Sequence, residues 1–119
     1  MSRILLLEDD EALNRLMSLT LESAGYNVSR ATDSLQAFNH LADDCDLMLL
    51  DIGIPDMDGP TFLAGALAQG YKGKVVVVSG AAVGRELSRT MGADGFLAKP
   101  FAPEDLLKVV GKYLQPTEA

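Results

Sequence analysis

The sequence predicts an α/β domain built on a parallel sheet, and two observations carry that prediction. Short aliphatic runs of four or five residues recur along the chain, and amphipathic helical patterns separate them. Because every connection between strands is helical, the strands should lie parallel with right-handed crossovers. The 119 residues suit one domain, and 48% hydrophobic content with no Trp predicts an aliphatic core. We expect the whole chain, residues 1–119, to form one domain of five βα units.

The bounds of each element follow from periodicity and from turn residues. Strands are predicted at Ile4–Leu7, Tyr26–Ala31, Leu47–Leu50, Val75–Val78 and Gly95–Ala98. Helices are predicted to end at Gly25, to run from Thr32–Ser34 to about Leu41, from Pro60 to about Gln69, over Val83–Met91 and over Pro103–Leu114. Asp10 is expected to cap the first of these helices.

Composition limits the classes of function. The net charge of −7 argues against a nucleic-acid surface, which needs a basic patch. Cys45 is the one cysteine, so no intrachain disulfide can form. The N-terminus is too short for a signal-peptide core, and no apolar run approaches the ~20 residues of a membrane span. We expect a cytoplasmic protein with no membrane association.

Polar residues stand where the predicted strands end. They are Glu8, Asp9 and Asp10 after the first strand, Asp51 after the third, Ser79 after the fourth and Lys99 after the fifth. The carboxyl ends of parallel strands share one edge of a sheet, and ligands bind there. Carboxylates gathered at that edge repel each other, by about 4 kcal/mol per pair at ~4 Å and an effective dielectric near 20. A divalent cation and Lys99 are the candidates to offset that repulsion.

In order and spacing, these segments resemble the response-regulator receiver domain, the phosphoaccepting half of bacterial two-component signalling. The resemblance covers nearly the whole chain and rests on Ile4–Asp9, Asp46–Gly59, Val75–Gly80 and Gly92–Phe101. It implies a flavodoxin-like (βα)5 three-layer sandwich with strand order 2-1-3-4-5. Nothing in the sequence resembles a DNA-binding or catalytic output domain, so we expect a stand-alone receiver.

The resemblance also implies roles for the strand-end residues. Asp51 would be the phosphoacceptor. Mg²⁺ would be held directly by Asp9 and Asp51, through water by Glu8, and by the backbone carbonyl of Gly53. Lys99 would pair with Asp51 at rest and with a phosphoryl oxygen after transfer.

A switch is implied as well. The Ser79 hydroxyl would move towards the phosphoryl group, and Phe96 would turn inward in response. Phe96 lacks the hydroxyl of the tyrosine often found there, so a partner that recognises a tyrosine hydroxyl is not expected.

The sequence also departs from the family pattern. Gly53 and Ala81 are small residues at two positions whose side chains, in the family, control the access of water to the acyl phosphate. The span from Ser79 to Lys99 is 20 residues, about two fewer than expected, and the loss falls between the fourth strand and fourth helix.

The function implied is acceptance of a phosphoryl group from a sensor histidine kinase or a histidine phosphotransfer protein. Phosphorylation would switch a protein-binding surface around the fourth helix, fifth strand and fifth helix, with a downstream protein as partner and no direct contact to nucleic acid. Catalysis would be limited to the chain's own phosphorylation and slow dephosphorylation, so we expect no enzyme.

Three alternatives remain open. A pseudo-receiver would act by protein binding without phosphorylation. A small Mg²⁺-dependent aspartyl phosphatase would need a second acid two residues after its nucleophile, where this chain has Gly53. A nucleotide- or flavin-binding protein would have a glycine-rich loop after the first strand, where this chain has Glu8-Asp9-Asp10.

Overall fold

The fold is a parallel sheet of five strands flanked by helices. The computed structural model describes residues 2–80 and 82–114, apart from the side chain of Val83. The strands are β1 (Arg3–Leu7), β2 (Asn27–Ala31), β3 (Leu47–Asp51), β4 (Lys74–Ser79) and β5 (Gly95–Ala98). The helices are α1 (Glu11–Ser23), α2 (Ser34–His40), α3 (Gly59–Ala68), α4 (Ala82–Met91) and α5 (Pro103–Gly111). The sheet order β2-β1-β3-β4-β5 confirms the predicted topology.

The strand β3 lies at the centre of the sheet, and all five of its residues are buried. Leu50 is opposite Leu7 of β1 and Val77 of β4, which fixes the register. Asp51, the next residue, therefore leaves the sheet between the ends of two neighbouring strands. Continuous burial on both faces explains why β3 reads as an uninterrupted aliphatic run.

Two hydrophobic clusters fill the space on the two faces of the sheet, as period-two alternation along the strands requires. One contains Leu5, Leu7, Met48, Leu50 and Phe62. The other contains Ile4, Leu6, Met17, Leu49 and Val110. Phe38 and Phe62 bring α2 and α3 together, with ring centroids 4.7 Å apart.

Local signals at helix ends behave as the sequence predicts. The Asp10 carboxylate accepts a hydrogen bond from the Leu13 N–H at 3.1 Å, which confirms it as the α1 cap. Gly25 has φ of +96°, a conformation that costs glycine little, and it follows the end of α1 as expected. Asp33 caps α2 in the same way, and Asp58 caps α3.

The last helix is shorter than predicted. It ends at Gly111, whereas the periodicity of Leu106, Val110 and Leu114 predicted an end at Leu114. Glycine is among the poorest helix formers, and a turn replaces the final helical turn. Leu114 still packs against the core without being helical. Within the described residues, no helix has the length and apolar character needed to span a bilayer.

Candidate functional site

Three carboxylates meet at the carboxyl edge of the sheet. Oxygens of Glu8, Asp9 and Asp51 all lie within 4.8 Å of one another. Glu8 and Asp51 are buried, while Asp9 is exposed at the mouth of the site. The connection from β1 to α1 carries the first two acids, and the end of β3 carries the third. Their convergence is thus a product of strand order, since residues some 40 positions apart share one edge.

Lys99 spans the acidic cluster from the end of β5. Its Nζ lies 2.7 Å from Glu8 Oε1 and 3.5 Å from Asp51 Oδ2. The expected pair between Lys99 and Asp51 is present, and the shorter contact with Glu8 was not predicted. A glutamate reaches one methylene further than an aspartate, so Glu8 meets the ammonium first. The peptide bond between Lys99 and Pro100 is cis.

Burial and ion pairing have opposite effects on the pKa values of Glu8 and Lys99. Desolvation raises the pKa of Glu8 to about 7, although the close contact with the Lys99 ammonium works in the opposite direction. Burial alone would lower the pKa of Lys99, but its interactions with Glu8 and Asp51 outweigh that effect and raise it. The ammonium therefore stays charged, and one cation faces three acids.

The donor set fits a small divalent cation. Carboxylate oxygens are the ligands that Mg²⁺ prefers, and one or two carboxylates suffice because the ion retains several waters. Glu8 Oε1 is buried and, within the described part of the chain, accepts no hydrogen bond of regular geometry despite its ion pair with Lys99. An oxygen of this kind can accept a hydrogen bond from a metal-bound water. The predicted direct binding of the ion by Asp9 and Asp51 stays a prediction.

Gly53 orients the Asp51 carboxylate. Its N–H donates a hydrogen bond to Asp51 Oδ1 at 2.9 Å, which leaves Oδ2 on the side of Lys99. A Cβ at Gly53 would lie 3.5 Å from Oδ1, so the position tolerates a side chain but has none here. The predicted use of the Gly53 carbonyl as a metal ligand stays a prediction.

Ser79 and Phe96 lie on adjacent strands, but only Ser79 is at the carboxyl edge, since Phe96 pairs with Val77 two residues earlier. Ser79 follows Val78, the residue opposite Asp51, and its carbonyl accepts a hydrogen bond from the Lys99 N–H at 3.0 Å. Phe96 is half-buried beneath Arg85, whose guanidinium carbon lies 4.7 Å from the ring centroid. The shortened connection to α4 is accommodated by Gly84, since a Cβ there would collide with the Ser79 side chain.

Sequence reasoning missed Asn14, which secures the turn that carries Glu8 and Asp9. Its fully buried amide donates to the backbone oxygens of Glu8 at 3.0 Å and Ala31 at 2.9 Å. Its own oxygen accepts from Arg30 at 2.7 Å. The available signal was an asparagine within the apolar stripe of α1, because a buried polar side chain must find partners.

Fold and site together define a doubly wound α/β protein whose acidic pocket at the carboxyl edge suits a cation and a phosphoryl group. The family model for the response regulator receiver domain matches residues 4–111. The chain therefore belongs to the response regulator receiver domain family, which serves two-component signalling in its bacterial relatives.

Named relatives agree with this assignment. The transcriptional regulatory protein CpxR of Escherichia coli (strain K12) is 38% identical over 109 residues, covering 90% of this chain and 47% of CpxR. The transcriptional regulatory protein CssR of Bacillus subtilis (strain 168) is 33% identical over 114 residues, covering 94% of this chain and 51% of CssR. The chain thus spans about half the length of these curated relatives.

Solved structures agree on the fold. The chemotaxis protein CheY4 of Vibrio cholerae superposes with a TM-score of 0.86 at 28% identity, covering 96% of this chain and 99% of CheY4. A CheY-like receiver domain protein from Methanospirillum hungatei gives 0.84 at 30% identity, covering 94% of this chain and 92% of that protein. Both are similar along nearly their whole length.

Proposed function

We propose that Asp51 accepts a phosphoryl group from a phosphohistidine on a partner protein, with Mg²⁺ held at the carboxylate cluster. The observation that carries the proposal is the convergence of Glu8, Asp9 and Asp51 within 4.8 Å beneath the single ammonium of Lys99. Such a cluster is unfavourable by itself, and a divalent cation bound there would offset the repulsion and could also receive the negative charge of a phosphoryl group.

The transfer is an in-line substitution at phosphorus. An oxygen of Asp51 forms the new bond to phosphorus while the bond to the imidazole nitrogen of the donor breaks. The nitrogen keeps that electron pair, and an acyl phosphate remains on Asp51. Mg²⁺, held by Asp9 and Asp51, by the Gly53 carbonyl, and by Glu8 through water, would neutralise charge on the phosphoryl oxygens.

The remaining site residues would then respond to the new charge. The phosphoryl group brings up to two negative charges, which attract the Lys99 ammonium away from Glu8. The Ser79 hydroxyl lies on the neighbouring strand and would donate to a phosphoryl oxygen. These movements need no covalent step, so the chain acts as a switch whose only chemistry is its own phosphorylation and slow dephosphorylation.

A rim beside the site suits the protein that delivers the phosphoryl group. Leu13, Pro100 and Phe101 form an apolar hollow next to Lys99. Leu16 and Leu19 continue this apolar surface along α1 and are more than half exposed. A sensor histidine kinase or a histidine phosphotransfer protein would cover this rim when its imidazole reaches Asp51.

The output surface is proposed around α4, β5 and α5. The first turn of α4 touches both residues of the proposed switch, Ser79 through Gly84 and Phe96 through Arg85. A movement of either side chain would therefore alter the position of α4. The receiver would signal to a downstream protein through this surface. Direct contact with nucleic acid is not part of the proposal, because the net charge of the chain is −7.

The test is labelling with acetyl phosphate and Mg²⁺, followed by intact mass. One phosphoryl group per wild-type chain and none on Asp51→Asn are expected. Repeated turnover of phosphorylated small molecules would indicate a phosphatase instead. Beryllofluoride binding is measured separately by amide NMR shifts. A wild-type chain that neither becomes labelled nor binds beryllofluoride would contradict the proposal and favour a pseudo-receiver.

A further inference from the structure

The loop between β3 and α3 controls the orientation of Asp51. Residues 52–58 form no helix or strand, yet this loop supplies the Gly53 N–H that donates to Asp51 Oδ1 at 2.9 Å. A donor in an irregular loop is only as well placed as the contacts that hold the loop. The question is therefore which contacts fix residues 52–58.

Asp56 makes the strongest polar contacts between this loop and another element. Its Oδ2 accepts from the Ser34 hydroxyl at 2.6 Å, and its two oxygens accept from the Ser34 N–H at 3.1 and 3.2 Å. The Ser34 hydroxyl and then its N–H hold the pKa of Asp56 below its ordinary value. Ser34 is buried at the start of α2, so the anchor point is rigid.

The side-chain cap of α2 is Asp33 and not Asp56. Asp33 already caps this helix, because its carboxylate accepts from the Gln36 N–H at 2.9 Å. The other fixed points of the loop serve different purposes, since Ile54 is buried in the core and Asp58 caps α3. Asp56 thus connects the loop to α2 through hydrogen bonds, and we expect the loss of these bonds to change the position of the loop.

We infer that Asp56 is a positioning residue: by binding Ser34 it holds the β3–α3 loop so that Gly53 orients the Asp51 carboxylate. The consequence for cation binding and phosphoryl transfer rests on the proposed function. Partners that orient a ligating carboxylate affect metal affinity by about tenfold or more when removed. Asp56 touches neither the cation nor the phosphoryl group.

The experiment compares Asp56→Ala and Ser34→Ala with Asp33→Ala as the matched control. Asp56→Ala removes the whole tie, whereas Ser34→Ala removes its shortest hydrogen bond without changing charge and keeps the bonds donated by the residue 34 N–H. Asp33→Ala removes a carboxylate and a cap from the same helix but leaves the tie in place. The readouts are hydrogen exchange of the Gly53 amide, Mg²⁺ affinity by NMR titration, and the initial rate of labelling by acetyl phosphate.

Asp56→Ala is expected to accelerate Gly53 exchange and to weaken Mg²⁺ binding by about tenfold. Ser34→Ala should shift both readouts in the same direction by less, because the residue 34 N–H still donates to Asp56. The double variant should be no worse than Asp56→Ala, because Asp56→Ala already removes the hydroxyl contact. Asp33→Ala should lower the melting temperature while leaving Gly53 exchange and Mg²⁺ affinity unchanged. If Asp56→Ala does not fold, Ser34→Ala alone provides the comparison with Asp33→Ala.

Two results would overturn the inference. If Asp56→Ala changes only the melting temperature, as Asp33→Ala does, Asp56 is a second helix cap. If Asp56→Ala weakens Mg²⁺ binding without accelerating Gly53 exchange, the effect is one of charge and not of position. Absence of labelling in the wild type would contradict the proposed function instead, and Gly53 exchange would still decide whether Asp56 fixes the loop.

Discussion

The two ends of the sheet use acidic residues in opposite ways. At the amino end, each acid satisfies a backbone donor: Asp46 Oδ2 accepts from the Arg3 N–H at 3.0 Å, and Asp94 Oδ2 accepts from the Val75 N–H at 2.8 Å. At the carboxyl end, Glu8, Asp9 and Asp51 face one another. The first arrangement completes the hydrogen bonding of strands and turns, whereas the second concentrates like charges.

The difference shows what each end is for. Acids that accept backbone hydrogen bonds stabilise the fold whether or not a ligand is present. At the carboxyl end, Asp51 and Glu8 also accept backbone hydrogen bonds, from Gly53 and Asp10, but these acids lie close to one another and to Asp9 as well. Their mutual repulsion is relieved only in part by Lys99, and a further cation would relieve more of it. The carboxyl end is therefore the place where we expect binding of a cation to change the free energy of the molecule most.

The largest expected contrast is in cation affinity. Asp9→Ala removes a proposed direct ligand and should weaken Mg²⁺ binding by tenfold or more, on the order of the effect of losing a carboxylate ligand. Asp94→Ala removes an acid at the amino end and should leave the affinity unchanged, since its carboxylate serves Val75. Amide NMR titration of both variants measures the contrast. Equal affinities would show that the cation binds elsewhere.

Without added cation, the same two variants are expected to change the free energy of unfolding in opposite directions, by smaller amounts. Asp9→Ala should raise the free energy of unfolding by about 1 kcal/mol, the Coulomb energy of one pair at ~4 Å in water. Asp94→Ala should lower it by about 1 kcal/mol, because the Val75 N–H loses its partner. Urea unfolding at pH 8 measures both. A loss of stability in both variants would mean that the carboxyl-end acids are not in mutual repulsion.

Sequence reasoning could predict the sheet and the gathering of acids because both depend on pattern and topology. The buried run of β3 and the position of Asp51 at its end follow directly from strand periodicity and order. The shorter distance from Lys99 to Glu8 than to Asp51 could not be predicted from the sequence, because it depends on how far each side chain extends in the folded site.

Other features escaped prediction because they join distant elements through single side chains. Asn14 ties α1 to β2, and Asp56 ties a loop to Ser34, 22 positions away. No periodicity marks such pairs, since each involves one polar residue and one partner. Gly84 likewise has a role only because α4 starts two residues after β4 and passes over Ser79.

The smallest expected effect is a change of cation affinity with pH, caused by the titration of Glu8 at the carboxyl end. Burial raises the pKa of Glu8 to about 7, so this acid is mostly protonated at pH 6 and mostly ionised at pH 8. Mg²⁺ affinity should therefore rise about threefold over that range, because metal binding favours the deprotonated form of nearby acids. NMR titrations at both pH values measure the rise.

The control variant is Glu8→Gln, in which the dependence should disappear. Burial raises the pKa of the Cys45 thiol to about 11, so that thiol stays protonated over the same range. In the absence of cation, the folded state holds the Glu8 proton more tightly than the unfolded chain, so stability should fall as the pH rises from 4.5 towards 7. An unchanged pH dependence in Glu8→Gln would assign the titration to another group and weaken the contrast between the two ends.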